Sequence, residues 1–382
     1  MIYFSLYIFV FLLNFIVTFA FVPNGRYLHS SVLVDKKLYF SGGFKSTKLS
    51  DATTNEFFYL DISKPFTTTD NDSIPWVDLT YTNNTLKIET TACIGGKDND
   101  MIFIFGDYPY FSQLFVNQFD INKQQWTNIT TIGNVPRDRI DISCAKFNNG
   151  LIAIFSGYIL NNTNDLWIFN TLTLTWSLSN ATNAPLSMRS YCAITLPDEN
   201  ILFIGGINPN KNSYIQMNSL SLYNTKSDTW TNKNTSGPIP PVRVYFQRVI
   251  KDLDINVTLG DLWILDIAKY QWSKGNISNP IVDLELHGHT ATLVDNYMFI
   301  AFGSFLNNSV SSNIFILDAN QKISYKWITE FPPIQNNTDI NSTKIQEHEN
   351  TNLIIGAIIG GTLIVFAIVA VILTSKFVII IN

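Results

Sequence analysis

The chain has 382 residues, of which 46% are hydrophobic, 14% aromatic and only 14% charged, with a formal net charge of −5. Charged residues usually make up about a quarter of a domain, and no basic patch or run occurs here, so a nucleic-acid partner has no electrostatic support. The three cysteines, Cys93, Cys144 and Cys192, form no Cys-x-x-Cys or Cys/His cluster, which excludes the usual zinc spacings.

The first element is apolar. Residues 1–20, MIYFSLYIFVFLLNFIVTFA, read as a secretory signal peptide cleaved after the small residue Ala20. The stretch lacks Lys and Arg near its start, which keeps an uncleaved N-terminal anchor as the alternative.

A repeat follows. Trp76, Trp126, Trp176, Trp230, Trp272 and Trp327 each close a short polar run, with spacings of 50, 50, 54, 42 and 55 residues. A period near 50 is the mark of a propeller array. Each unit offers four short β-prone runs divided by Gly, Asn, Asp and Ser. The third unit has ISCAKF, LIAIFSG, NDLWIFN and LTLTW; the fourth has RSYCAITL from Arg189, ILFIGG, SLSLYN and DTW. The second run is nearly all apolar, as in a strand buried on both faces. One such sheet cannot cover both its faces, whereas a ring of them can. The tryptophans are expected to pack between blades. A glycine doublet ends the second run at Gly42-Gly43 and Gly205-Gly206, and is relaxed to Gly106-Asp107, Ser156-Gly157 and Gly303-Ser304. Glycine suits positive φ there.

The fifth unit departs from this pattern. RVYFQRVI, from Arg243, passes almost at once to GDLWILDI, from Gly260, with no apolar run ending in Gly-Gly. The reading is a defective or three-stranded blade, a substitute strand from Leu253 to Leu259, or a segment lost from the gene. All three cysteines stand near the front of successive units. They read as small buried strand residues, with one disulfide between neighbouring units as the second reading.

Beyond the repeats, residues 332–352 are polar and proline-containing and read as a stalk. Residues 353–373 are 21 uncharged residues, about 31 Å as a helix against a bilayer core of about 30 Å, and read as one transmembrane helix. Residues 374–382, with Lys376, read as a short cytoplasmic tail. Ser342 and Thr343 followed by a spacer and an apolar end keep a GPI signal as the alternative. Gly356 and Gly360 form a G-x-x-x-G pair that would support weak dimerisation. Sequons stand at Asn71, Asn83, Asn128, Asn161, Asn180, Asn234, Asn256, Asn276, Asn307, Asn336 and Asn341, and several are expected to carry glycans.

The order of an Arg-x-x-His/Tyr start, an apolar strand ending in Gly-Gly, a strand ending in Tyr/Phe-Asx, and then Trp resembles the kelch repeat over residues 24–331. The resemblance implies an all-β kelch-type propeller of about six blades, the fifth degenerate, similar to fungal kelch or galactose-oxidase-like membrane proteins. Galactose oxidase is a secreted copper enzyme, and the resemblance implies a search for its two Tyr and two His ligands and its Cys–Tyr crosslink. His29 sits at the repeat position and His348 in the stalk. His287 and His289 would face one side of a strand and could bind a metal, but the same stretch is an ordinary repeat start. No tyrosine pairs with them, so no metal or other cofactor is expected. Asp61, Asp120, Asp266 and Asp318 recur after the third strand, which points to turns. Asp51, Asp107, Asp138, Asp141, Asp165 and Asp261 fall in loops, where no glycosidase pair stands out.

The expectation is a type I cell-surface protein whose extracellular propeller binds a protein or carbohydrate and performs no catalysis. The alternative is a carbohydrate-active copper oxidase.

Overall fold

The structure, a computed structural model, describes residues 21–46, 53–106, 115–127, 129–148, 150–158, 163–244, 261–282, 284–305, 307–320 and 324–332, together with the backbone of three short C-terminal strands. The described chain is all-β. Five blades are each formed by one contiguous stretch of chain, such as blade 1 with Ser30–Val34, Lys37–Ser41, Phe57–Asp61 and Trp76–Asp78. Their strands are antiparallel and run in chain order outward from the axis, here termed a, b, c and d. Inner strands of successive blades lie side by side, and the inner strand of blade 1 also meets that of blade 6, Thr290–Val294.

Apolar runs explain the strand order. Strand b is buried on both faces, as in Ile152, Ile154 and Phe155 of blade 3. The tryptophans of strand d face the preceding blade. The Trp76 ring stacks 5.9 Å from Phe302 of blade 6, Trp176 lies 5.9 Å from Phe105 of blade 2, and Trp230 lies 4.9 Å from Phe155 of blade 3. Trp126 meets Phe57 of blade 1 at 4.9 Å, Trp272 donates its indole N–H to Met217 O of blade 4, and Trp327 shares a cluster with Leu262 of sheet 5. Each buried aromatic contributes a few kcal/mol, from 150–250 Å² at about 25 cal/mol per Å². The Asx residue after strand c closes the c–d turn: Asp61, Asp120, Asp266 and Asp318 each accept a backbone N–H two or three residues on, and Asn170 and Asn224 do the same.

Two belts of backbone hydrogen bonds join the blades. At the end of strand b, the second glycine of the doublet donates to the carbonyl that opens the next blade. Gly43 donates to Lys87 O, Gly157 to Met188 O, Gly206 to Arg243 O and Gly303 to Arg26 O, at 2.8–3.0 Å. These glycines have φ from 97° to 101°, in the left-handed region that L side chains avoid. The doublet in repeat six is therefore Phe302-Gly303 rather than Gly303-Ser304, because Phe302 N bonds Asn313 O as Gly42 N bonds Glu56 O. Gly106 donates to Phe115 O and stands in the first slot, and Ser156 and Phe302 adopt positive φ there without being glycine.

The second belt is nearer the axis. Leu28, Glu89, Asp141, Ser190 and Gly288 each precede a strand a and each have φ between 54° and 63°. Leu28 N bonds Gly288 O, Glu89 N bonds Leu28 O, Asp141 N bonds Glu89 O, and Ser190 N bonds Asp141 O. This register puts Met188, not Arg189, in the arginine slot of repeat four.

Sheet 5 differs. Its own repeat supplies only Trp263–Asp266 and Gln271–Lys274, and its inner half is Lys376–Ile381 and Val369–Leu373 from the C-terminus. Leu363–Ile364 pairs with the inner strand of blade 6. Of the expected transmembrane helix, 353–373, the described residues are thus strands, and so is most of the expected tail. Among the described residues no helix is long and apolar enough to cross a membrane, which says nothing of a β-barrel. The physical reason is composition and opportunity: a Val/Ile-rich run suits strand as well as helix, and the strand Trp263–Asp266 offers it a backbone edge. The signal peptide, the stalk beyond residue 332, the Gly356 and Gly360 pair, and the substitute strand from Leu253 to Leu259 lie outside the described residues.

Cys93 and Cys144, on the inner strands of blades 2 and 3, form a disulfide with Cα atoms 6.5 Å apart, while Cys192 is free and buried. The structure thus takes the pairing that sequence ranked second.

Two stability predictions follow from these links. A Cβ at Gly206 would lie 2.7 Å from Arg189 O at a left-handed φ, so Gly206→Ala is expected to cost about 3 kcal/mol in urea unfolding. Loss of the disulfide, by Cys93→Ala with Cys144→Ala, is expected to cost about 4 kcal/mol by the loop-closure estimate, read as a lower denaturation midpoint with an unchanged far-UV spectrum.

Candidate functional site

Strand a begins, and strand b ends, at one end of the ring, which we term the entry face. The arginine slot organises it. Arg139 bonds Asp165 through two parallel contacts of 2.8 and 3.0 Å, and its Nη1 also donates to Ser156 O. Arg26 pairs with Glu56, and Arg243 with Asp261. Each acid stands just ahead of strand c. Asp165 and Asp261 also accept the indole N–H of Trp167 and Trp263, at 2.5 and 2.6 Å. Burial raises the carboxyl pKa of all three acids, but the arginine charges and hydrogen bonds outweigh it and hold each below its usual value. This pairing escaped the sequence reading, which took the acids one at a time. The signal was present in N-E-F, N-D-L-W and G-D-L-W, an acid directly before strand c in three units.

In repeat four the slot is empty of charge. Arg189, one position later, reaches back to Asp141 of blade 3 at 3.2 Å and lies 4.8 Å from the Tyr158 ring. Arg26 stacks on Phe58 at 4.5 Å and approaches Phe302 at 5.4 Å.

The histidines gather at the seam where blade 6 meets blade 1. His29 is buried between Phe40 and Phe302, with Nε2 2.9 Å from Thr290 Oγ1. His289 Nδ1 donates to Leu286 O at 3.2 Å, and His287 packs against Tyr27. Burial holds His29 well below its ordinary pKa, reinforced by Arg26 and His289, and burial likewise lowers His289 to about 4. Among the described residues no group of three or more His, Cys, Asp or Glu is placed to hold a metal ion. His348 and Asn128, Asn161, Asn256, Asn336 and Asn341 lie outside the described residues.

The entry face also presents aliphatic side chains. Val22, Val135, Ile239 and Val282 each stand four residues before the arginine slot and are 42%, 50%, 41% and 82% exposed. The first three are followed by proline, in V-P-N-G-R, V-P-R-D-R and I-P-P-V-R. Leu86 and Leu186 are exposed in the same connections of blades 2 and 4, and Tyr158 stands beside Arg189.

Sheets in a ring, four of them stitched to the next by the glycine that ends strand b, define a kelch-type β-propeller. Residues 29–258 match the model of the KLHDC2/KLHL20/DRC7 Kelch-repeats domain. The chain belongs to that family. It is 27% identical to Kelch domain-containing protein 3 of Bos taurus over 198 residues, covering 49% of each chain. It is 23% identical to Acyl-CoA-binding domain-containing protein 5 of Arabidopsis thaliana over 331 residues, 80% of this chain and 48% of that one. The chain thus spans about half the length of these curated relatives. The solved structure of YjhT matches with a TM-score of 0.54 at 10% identity, over 80% of this chain and 98% of that one, a likeness of fold alone.

The buried histidines make stability depend on pH. An unfolded histidine titrates near pH 6.5, while His289 in the fold titrates at about 4. Below pH 6.5 the unfolded chain takes up protons that the fold refuses, so stability falls from there toward pH 4, by about 3 kcal/mol for His289 alone. The paired carboxylates act only lower: their folded values are depressed, so their contribution is lost as pH falls below about 4. A melting series from pH 7 to 5 should show the histidine loss, and His289→Gln should flatten it.

Proposed function

We propose that the chain is a non-catalytic binding module that works outside the cell and holds a protein partner on its entry face. The observation that carries this reading is the repeated exposed aliphatic residue four positions before the arginine slot, at Val22, Val135, Ile239 and Val282. Large apolar side chains left in water by several blades at one place in the repeat are a mark of a contact surface. They sit on connections that the hydrogen-bond belts hold rigidly, and loops on a rigid scaffold suit recognition.

The chemistry favours a protein over a carbohydrate. Sugar rings are commonly gripped by stacking on aromatic faces. Here the repeat tryptophans are turned inward to the preceding blades, and the ring is made of Val and Ile. Such a surface complements apolar side chains of a peptide or loop, with Arg189 and Tyr158 as polar neighbours. The carboxylates Glu56, Asp165 and Asp261 are tied to arginines, which supports a structural role for them. Placement outside the cell is supported by the apolar first twenty residues, by the disulfide and by the number of sequons.

The secreted full chain would be probed with a random-peptide phage library and a glycan array. Selected peptides should lose roughly 30-fold in affinity with Ile239→Asp or Val135→Asp, and none with Leu172→Asp, which is exposed in the c–d turn at the other end of blade 3. Glycan hits alone, or peptides indifferent to both entry-face variants, would sink the reading.

A further inference from the structure

Apart from Leu172 in a c–d turn, the exposed large apolar residues among those described fall into two groups. One is the entry-face ring. The other lies on the outer wall, where strand d of one blade hands the chain to the next: Tyr81, Ile132 and Leu178 are 66%, 63% and 49% exposed. The handover has a repeated build. Ile132 pairs with Thr175, Ser236 with Gln271 and Ile277 with Tyr325, each partner opening or directly preceding strand d of the following blade. Farther along, the Asn183 side chain bonds both Trp230 N and Trp230 O, and Asn279 bonds Trp327 N and O in the same way. The connection is therefore fastened along the outer edge of the next blade before it crosses to the entry face.

Sequons occupy this handover. Asn180, Asn234 and Asn276 stand four residues after Trp176, Trp230 and Trp272, and Asn83 stands at the corresponding exit from blade 1. All four are exposed. Asn180 N is fixed by Asp228 Oδ2, and Asn276 O accepts Tyr325 N, so the backbones of these two are held while their side chains reach water. Asn83 lies two residues from Tyr81, and Asn180 two from Leu178. Asn71 and Asn307 are exposed sequons outside this pattern, in the c–d connection of blade 1 and the b–c connection of blade 6.

We propose that Asn83, Asn180, Asn234 and Asn276 carry N-linked glycans that form a girdle around the outer wall and leave the entry-face ring bare. The proposal rests on the extracellular placement argued above. In the modification, the asparagine Nδ2 forms a bond to the anomeric carbon of an oligosaccharide. The bond from that carbon to a lipid diphosphate breaks, the lipid diphosphate leaves, and the amide loses one proton. The donor is thus a lipid-linked oligosaccharide of the secretory pathway. The girdle meets a physical need. Strand d is the edge of every blade, edge strands invite pairing with other chains, and a surface this poor in charge has few lysines to discourage it. A glycan beside Tyr81 or Leu178 covers apolar surface and holds neighbouring molecules off the edge. The entry-face residues Leu186, Ile239 and Val282 stand five or six positions farther along the connections than Asn180, Asn234 and Asn276, and stay open to a partner; Leu86 stands three from Asn83.

The test uses yeast expression in two forms, one with the chain's own first twenty residues and one with a yeast secretion leader in their place. Glycopeptide mass spectrometry of the second form should find sugar on all four asparagines in most molecules; bare asparagines there would overturn the girdle. Failure of the first form alone to enter the medium counts against extracellular placement and leaves the girdle judged by the second. The combined variant Asn83→Asp, Asn180→Gln, Asn234→Gln and Asn276→Gln should then self-associate in light scattering at concentrations where the glycosylated chain is monomeric. A variant that stays monomeric, with an unchanged melting temperature, would overturn the covering role. In a chain carrying Asn307→Gln, which removes the sequon on the entry side of blade 6, peptide binding at the entry face should be equal before and after enzymatic removal of the sugars; binding blocked by the sugars would overturn their placement on the wall.

Discussion

In blades 1, 3, 4 and 6 the amide at the end of strand b reaches the carbonyl that opens the next blade, and this contact sets the terms for the rest of the molecule. It requires a left-handed backbone and leaves little room for a Cβ: one at Gly43 would lie 2.9 Å from Tyr27 O. A single hydrogen bond of this kind adds only about 1 kcal/mol. Repeated from blade to blade, however, it fixes the angle between sheets. That angle decides whether Trp76 lands on Phe302 and Trp230 on Phe155, where far more free energy lies. The inner belt through Leu28, Glu89, Asp141, Ser190 and Gly288 repeats the constraint nearer the axis.

Much of this was legible because the propeller writes its constraints at a fixed period. Tryptophan spacing located the blades, and alternation with Gly, Asn and Asp located the strands and the Asx turns. The one-residue offsets at Met188 and at Phe302-Gly303 were not legible. The first doublet slot tolerates Ser156 and Phe302 at positive φ, so only hydrogen bonding reveals which residue fills the second. The disulfide was hidden for a related reason. Cys93 and Cys144 are 51 residues apart in sequence, and only ring geometry sets their inner strands side by side. The arginine–carboxylate pairs were readable in principle, since the acid keeps its place before strand c.

Sheet 5 shows what happens when a blade lacks its own inner half. Strand Trp263–Asp266 has outer strand Gln271–Lys274 on one side and would otherwise present an open edge on the other. The apolar C-terminal run fills that edge, with Trp263 opposite Ile381 and Asp266 opposite Val378. A sequence rich in Val and Ile does not choose between strand and helix by composition; the available partner does. A long uncharged run is therefore ambiguous whenever the same chain also contains an unfilled sheet.

The division of polar and apolar groups follows from the same architecture. The arginines of the slot are buried and are paired with partly exposed acids, Arg26 with Glu56, Arg139 with Asp165 and Arg243 with Asp261. In those three blades the pairs hold the start of strand a against the start of strand c. Aliphatic residues four positions upstream are then carried at a constant place above the ring. The side chain there stays 41–82% exposed in the isolated chain, so burial within the blade accounts for only part of its apolar character. Its recurrence in blades 1, 3, 5 and 6, in the first three on loops anchored by an arginine–carboxylate pair, is better explained by what the face meets than by what the fold requires.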